Sequence, residues 1–400
     1  MLKILVIAPF PPTIIRKRDF YLVNNLRGQD LRIEWVCIVE DRENIEQMVQ
    51  ENDHFKMKIF NVKKAVSLIN TLLGILPFSK YPLQSHFTLS RAMGRYLRRV
   101  TSQNEYDVIH YVHIRSTIYE RFIDPKFRGR SLIDLPDCST YSYFNIFKNI
   151  SIRQFAKKLV YAIEKNRIAK YESRLPILDL VLISATEVER FSKWVPSYRQ
   201  YRLHVIENGI EKLNANDDKR ANVENRQIIF LGKMSYISNQ LLVKEFYTNV
   251  FSRLNDEENF KFIIAGSDPP DSIKKLQQEK KGITVTGFVA ETSGYLRSSD
   301  IFIATFKTGS GVQNKVLEAM RYGCIVLCTQ IVAEPLALEH NYNAIISESD
   351  QATLSYIRDI ATHPSKYQHV RENALKYVNN YTSWETSAEK FVQLYKEIAK

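Results

Sequence analysis

The residues best placed to do chemistry lie at positions 309–323, Gly-Ser-Gly-Val-Gln-Asn-Lys-Val-Leu-Glu-Ala-Met-Arg-Tyr-Gly. Gly309 and Gly311 open the stretch and Gly323 closes it. Val316, Ala319, Met320 and Gly323 recur at i, i+3, i+4 and i+7, so one helix face is apolar or small. A helix start after a glycine turn carries unpaired N–H groups and about half a positive charge, which suits phosphate. Lys315 falls in the first turn, where that dipole disfavours a cation unless an anion is near. Glu318 follows Asn314 by one turn, about 5.4 Å along the same face. That places a carboxylate within reach of a ribose diol if a diphosphate rests on residues 309–311. The same residues also compose an ordinary amphipathic helix with a glycine turn and a solvated Lys/Glu pair, and the spacing leaves both readings open.

The flanking segments must hold this stretch in place. Residues 300–306 (DIFIATF) and 324–328 (CIVLC) read as buried strands, which makes one βαβ unit. Upstream, strands at 227–231, 262–265 and 283–286 each run into a glycine: Gly232-Lys233-Met234, Gly266 and Gly287-Phe288. The first half alternates in the same way, with strands at 4–8, 33–39, 56–62, 106–112, 130–135, 178–184 and 204–206. Helices are expected at 19–26 and over a basic region at 152–174. In open α/β sheets the loops after the strand carboxyl ends carry ligands. The loops with Arg16-Lys17-Arg18, with His113-Ile114-Arg115 and with Asp137 are therefore expected on one rim. Asn208-Gly209 is a turn signal, and the polar run 211–226 reads as a linker. The pattern is α/β: two Rossmann-like doubly wound domains facing across a cleft. The first spans 1–207 and is completed by an amphipathic helix at 384–400; the second spans 208–383.

Composition narrows the function. Of 400 residues, 44% are hydrophobic and 25% charged, which describes a globular chain and not a disordered one. Residues 1–200 carry 32 Lys and Arg against 20 Asp and Glu, and residues 201–400 carry 24 of each. The whole net charge of +12 therefore sits in the first half, which suggests an anionic partner there. The excess is dispersed over helices with no recognised module, so nucleic acid is not expected. No apolar run approaches the ~18 residues of a spanning helix, and the first strand is too short for a signal peptide. Cys37, Cys138, Cys324 and Cys328 lack metal-ligand spacing and read as buried thiols of a reducing compartment. Residues 66–78 are apolar over most of their surface and uncharged. The leading expectation for them is a core element. Their basic flanks support a second, an interfacial membrane contact.

The order of these motifs resembles the retaining, nucleotide-sugar-dependent glycosyltransferases of the GT-B architecture, specifically glycosyltransferase family 4 and its surface-polysaccharide group. The resemblance spans nearly the whole chain, and its most specific part is Asn314-Lys315-Val316-Leu317-Glu318-Ala319-Met320. It implies that Glu318 binds the donor ribose. It further implies that the backbone at Gly309, Ser310, Gly311, Val312, Asn314 and Lys315 holds the diphosphate. Lys233, after Gly232, takes the place of a basic phosphate-binding residue, and Gly287-Phe288 lies beside the base. Ser310 stands where the family has a second glutamate, and Thr13 to Arg18 replace its glycine-rich first loop. A cationic side chain there is expected near the phosphate, or else the loop faces the acceptor. His110 and His113 both lie near the family's catalytic-loop histidine; His113 is taken for the site.

The implied activity is glycosyl transfer from a nucleotide diphosphate sugar to a hydroxyl of a lipid- or polysaccharide-linked acceptor. Lys233, Lys315 and the helix start would stabilise the leaving diphosphate, with no metal and no separate cofactor. His113 and Asp137 are candidates for orienting or deprotonating the acceptor. The expected location is cytoplasmic and peripheral at the inner face of the plasma membrane. The alternatives are a nucleotide-sugar 2-epimerase of the same architecture and a non-catalytic nucleotide-binding partner.

Overall fold

A computed structural model describes residues 1–13, 16–27, 29–39, 55–75, 79–103, 106–150, 155–211, 226–307 and 312–400. The chain falls into two compact units, residues 1–209 with 382–400, and residues 210–381. Most of the linker expected at 211–226 lies outside the described residues, but Arg226 already belongs to the second sheet, its carbonyl accepting from Lys261 N.

The first unit is a seven-stranded parallel sheet of β1 (Leu2–Ala8), β2 (Leu31–Val39), β3 (Phe55–Asn61), β4 (Val108–Val112), β5 (Ser131–Asp134), β6 (Asp179–Leu182) and β7 (Arg202–Val205). Their order is β3-β2-β1-β4-β5-β6-β7. A strand at the centre of such a sheet is covered on both faces and must be apolar throughout. In β1, Leu5 and Ile7 join the core on one face while Ile4, Val6 and Ala8 join the core on the other. The C-terminal helix Trp384–Ile398 supplies Phe391, Leu394 and Tyr395 to that second core. Ser383 caps it through Thr386 N, and Gly209 lets the chain pass: a Cβ there would lie 2.2 Å from Trp384 N.

The second unit is a six-stranded parallel sheet of β8 (Gln227–Leu231), β9 (Lys261–Ala265), β10 (Ile283–Gly287), β11 (Ile301–Ala304), β12 (Ile325–Cys328) and β13 (Ile345–Ile346). Their order is β10-β9-β8-β11-β12-β13. The two-residue β13 is too short to leave a pattern in the sequence. In each sheet the order reverses at one point, between β1 and β4 and between β8 and β11, and the crevice outside the carboxyl ends there is where ligands bind. All four cysteines are buried free thiols.

One expectation is overturned. The uncharged run at 66–78 is not a core element: it forms the helix Lys64–Gly74 with Leu72 65% and Leu73 54% exposed. The small and polar residues face inward instead. Ser67 and Gly74 are buried, Asn70 donates to Leu89 O, and a Cβ on Gly74 would lie 2.6 Å from the His86 ring. Uniform hydropathy hid this polarity, because the inward stripe Ser67, Asn70, Thr71 and Gly74 has helical spacing but the wrong chemistry for a core. Residues 76–78 lie outside the described residues.

Candidate functional site

In the second unit the crevice is built on glycines. Backbone pairing continues past the strand ends, Gly232 N donating to Ala265 O and Gly266 N to Gly287 O. Gly266 has φ +151°, and a Cβ on it would lie 1.9 Å from the Gly232 carbonyl oxygen. No other residue fits there. Gly232 in turn leaves room for an ammonium, since a Cβ would meet Lys315 Nζ at 3.1 Å and Asn239 Nδ2 at 2.7 Å.

Lys315 occupies that room. The helix Asn314–Arg321 follows β11 and buries Val316, Leu317, Ala319 and Met320, and this sets Lys315 in its first turn facing the crevice. The Lys315 ammonium donates to Asn239 Oδ1 at 3.1 Å. It lies 4.6 Å from the ring centre of Phe230 and 4.7 Å from that of Phe306. Asn239 is held in place by donating through Nδ2 to Lys233 O at 2.8 Å. Among the described residues no carboxylate pairs with Lys315, and burial pushes its ammonium down from 10.5 to about 7. The helix start has no side-chain cap, unlike the helices begun by Ser184, Ser349 and Ser383. A cation beside an uncapped helix start is a site for an anion.

The other donor-side residues surround this point. Lys233 follows Gly232 and pairs with Asp268 at 3.3 Å. Glu318 Oε1, one turn beyond Asn314, accepts from Thr292 Oγ1 at 2.6 Å. Gly287 has φ +71°, and Phe288 beside it is 63% exposed, an aromatic face open to a ligand. Val312 packs against the core at the crevice edge. Gly309, Ser310 and Gly311 lie outside the described residues. Sequence reading missed Asn239, Thr292, Phe230 and Phe306. Only their place in the fold gives them a role, and no motif marks them.

In the first unit, His113 follows β4 in a left-handed conformation, φ +64°. Such strain in a non-glycine residue is a mark of functional positions. Its Nδ1 accepts from Arg115 N at 3.3 Å, which assigns the proton to Nε2. Burial, together with Arg115 and Arg16, holds this imidazole well below the ordinary histidine range, so it is neutral and offers an N–H donor. That suits holding a hydroxyl oxygen better than deprotonating one. His110 lies instead inside β4 and is 1% exposed, with Nδ1 at 2.8 Å from Tyr395 Oη and its ring stacked on Phe391.

The rim loops are partly committed elsewhere. Arg18 makes a fork to Asp134, Nε–Oδ2 2.8 Å and Nη2–Oδ1 2.9 Å, and its Nη1 donates to Asn208 Oδ1 at 2.7 Å. It ties β5 to the Asn208 turn, three of its five N–H groups engaged and its charge met by Asp134, which speaks against the expectation of a phosphate-seeking cation at that position. Arg16 lies 3.9 Å over the Phe10 ring, and residues 14–15 lie outside the described residues. Asp137 accepts from Ser142 Oγ at 2.8 Å, a side-chain bond to the start of the helix Ser139–Asn149. Among the described residues no group of three or more His, Cys, Asp or Glu is arranged to hold a metal.

Residues 225–362 match the family model described as Glycosyl transferases group 1, about a third of the chain. No curated protein matches the chain. Similar solved structures include Anabaena HepE in complex with UDP and glucose, at 14% identity and TM-score 0.67, covering 99% of this chain and 100% of that one. Sucrose-phosphate synthase from Thermosynechococcus elongatus is 13% identical with TM-score 0.66, covering 100% of this chain and 99% of that one. WaaG, a glycosyltransferase involved in lipopolysaccharide biosynthesis, is 11% identical with TM-score 0.66, covering 99% of each. The fold is therefore GT-B, and the domain match with the fold supports a GT-B glycosyltransferase.

Proposed function

We propose that the protein moves a glycosyl group, with retention, from a nucleoside diphosphate sugar to a hydroxyl of a lipid- or polysaccharide-linked acceptor in surface-glycan synthesis. The observation that carries the donor half is Lys315, an ammonium sunk between two phenylalanine rings at an uncapped helix start. A diphosphate there would supply the missing negative charge. As the glycosyl bond breaks, charge grows on the leaving phosphate, and Lys315, Lys233 and the helix start stabilise it before any solvent must reorganise. Glu318 would accept from the ribose diol and Phe288 would cover the base. UDP in the HepE structure supports a uridine nucleotide as the first candidate. His113 would hold a sugar hydroxyl through Nε2–H. The basic excess of residues 1–200 supports an acceptor at an anionic membrane face, with the protein peripheral on its cytoplasmic side.

The test is Glu318→Ala with a panel of nucleoside diphosphate sugars. A charged hydrogen bond is worth about 1.5–3 kcal/mol, so donor affinity should fall roughly 10- to 100-fold. Full activity with unchanged donor affinity would sink the assignment. Release of a free, epimerised sugar without acceptor, deuterated when run in heavy water, would reassign the protein as an epimerase.

A further inference from the structure

We infer that the helices Lys64–Gly74 and Phe155–Glu172 form a docking face for an anionic phospholipid bilayer, entered to interfacial depth and not crossed. The inference rests on the membrane-side part of the proposed function and not on the donor site.

The first observation is inverted amphipathicity. The Lys64–Gly74 helix turns its small and polar residues inward and exposes Val66, Leu68, Ile69, Leu72 and Leu73, at 45–65%. The Phe155–Glu172 helix buries Glu164 and Glu172 beside Ile168 and Tyr171, and leaves Phe155, Leu159 and Val160 52–67% exposed. The two helices are joined: Arg167 donates through Nη1 to Gly74 O and through Nη2 to Ile75 O. Val160 lies two turns from Arg167 on its side of the helix, about 10.5 Å away. Large apolar groups on two fastened helices make a patch that a monomer in water does not ordinarily present.

The second observation is charge, and it selects the occupant. From residue 54 to 104 the chain carries nine Lys and Arg and no Asp or Glu. From 138 to 163 it carries four and again none. The only carboxylates on the two helices are turned inward as caps. Glu164 accepts from Leu83 N and Gln84 N, and Glu172 from Ser139 N and Thr140 N. The face is therefore apolar side chains among cations such as Lys63, Lys64, Lys80 and Lys170, with no exposed acid on either helix to repel a phosphate headgroup. A protein partner with an apolar patch would match the leucines alone; an anionic bilayer matches leucines and lysines together. No helix among the described residues is long and apolar enough to cross a membrane, so the contact is interfacial.

The experiment is cosedimentation of the full chain with vesicles of phosphatidylglycerol and phosphatidylcholine, and of phosphatidylcholine alone, across a salt series. Leu72→Glu with Leu73→Glu is compared with Leu159→Glu on the second helix, all three sites being exposed, so the core is untouched. Circular dichroism checks folding. The expected result is binding to the mixed vesicles that weakens at least about tenfold from low to high salt, as the Debye length shrinks from ~30 to ~3 Å. Each variant should weaken it at least tenfold. Absence of wild-type binding at low salt overturns the inference. So does concentration-dependent dimerisation, abolished by the same substitutions, without vesicle binding; that result would make the face a contact between copies. The thermal shift given by UDP should be the same in all variants, so failure of the donor site and failure of the docking face are separate results.

Discussion

Replacing Lys315 with methionine should stabilise the empty protein and destroy its affinity for nucleotide. The ammonium is held at about 7 in the fold against 10.5 for a solvated lysine. At about 1.4 kcal/mol per pH unit, that gap is roughly 5 kcal/mol of strain at or below neutral pH. The methionine also forgoes the bond to Asn239, about 1 kcal/mol. About 4 kcal/mol therefore remains for removal by a side chain of similar length that sits well between aromatic rings. At about 2–4 °C per kcal/mol for a unit of this size, the melting temperature should rise by roughly 8–16 °C. The sign with pH follows. A base whose folded pKa is lowered costs the full amount below about 7, and wild-type stability recovers as pH rises from 7 towards 10.5. A bound diphosphate restores the charge, so binding at pH 8 should take up about 0.9 proton. Titration calorimetry with UDP in buffers of different ionisation enthalpy reads that number directly. A Lys315→Met protein that melts lower, or UDP binding with no proton uptake at pH 8, would refute the reasoning.

Three further outcomes follow from the geometry. Gly266→Ala should cost at least about 3 kcal/mol and abolish the UDP thermal shift, because its Cβ would strike the Gly232 carbonyl; calorimetry of the second unit's transition reads it. Arg18→Ala should cost about 3–5 kcal/mol in the first unit's melt, since it leaves Asp134 buried without its fork. Burial and the charge of Asp134 raise the Asp19 carboxyl to about 7, so its contribution is complete below about pH 4 and is lost as pH rises through 7. In melts from pH 5 to 8, that fall should be steeper in Arg18→Ala, which removes a nearby positive charge.

Much of this was legible where local pattern and tertiary role agree. The strands read as apolar runs because parallel strands are buried on both faces, and the helix after β11 read from its 3.6-residue period. Lys315 stood out because its position opposed the helix dipole, an inconsistency visible in one dimension. Asn239 did not, although it positions that lysine, since an asparagine early in a helix has many uses. The fate of Arg18 was illegible for a related reason: its partners Asp134 and Asn208 lie 116 and 190 residues away, and nothing local says that a cation is already satisfied. The Lys64–Gly74 helix failed differently. Hydropathy reports that residues are apolar, not that they face inward, and here Ser67 and Gly74 took the inner positions.

The two switch points share a topology and differ in one electrostatic respect, and that difference supports placing the proposed donor at the second. At β1 and β4 the buried cation is Arg18, and three of its five N–H groups are taken by Asp134 and Asn208. His113 nearby is a neutral imidazole, which can hold a hydroxyl but cannot itself balance a diphosphate. At β8 and β11 the buried cation is Lys315, with one amide oxygen and two ring faces around it among the described residues. Rings attract a cation by about 0.5–2 kcal/mol but bring no countercharge, so among the described residues a protonated Lys315 has none. A fold that holds a cation in this way is stable only at a cost, and the cost is recovered when an anion arrives. These physical grounds support, independently of any family resemblance, the proposal that phosphate binds at the second unit and that hydroxyl recognition falls to the first.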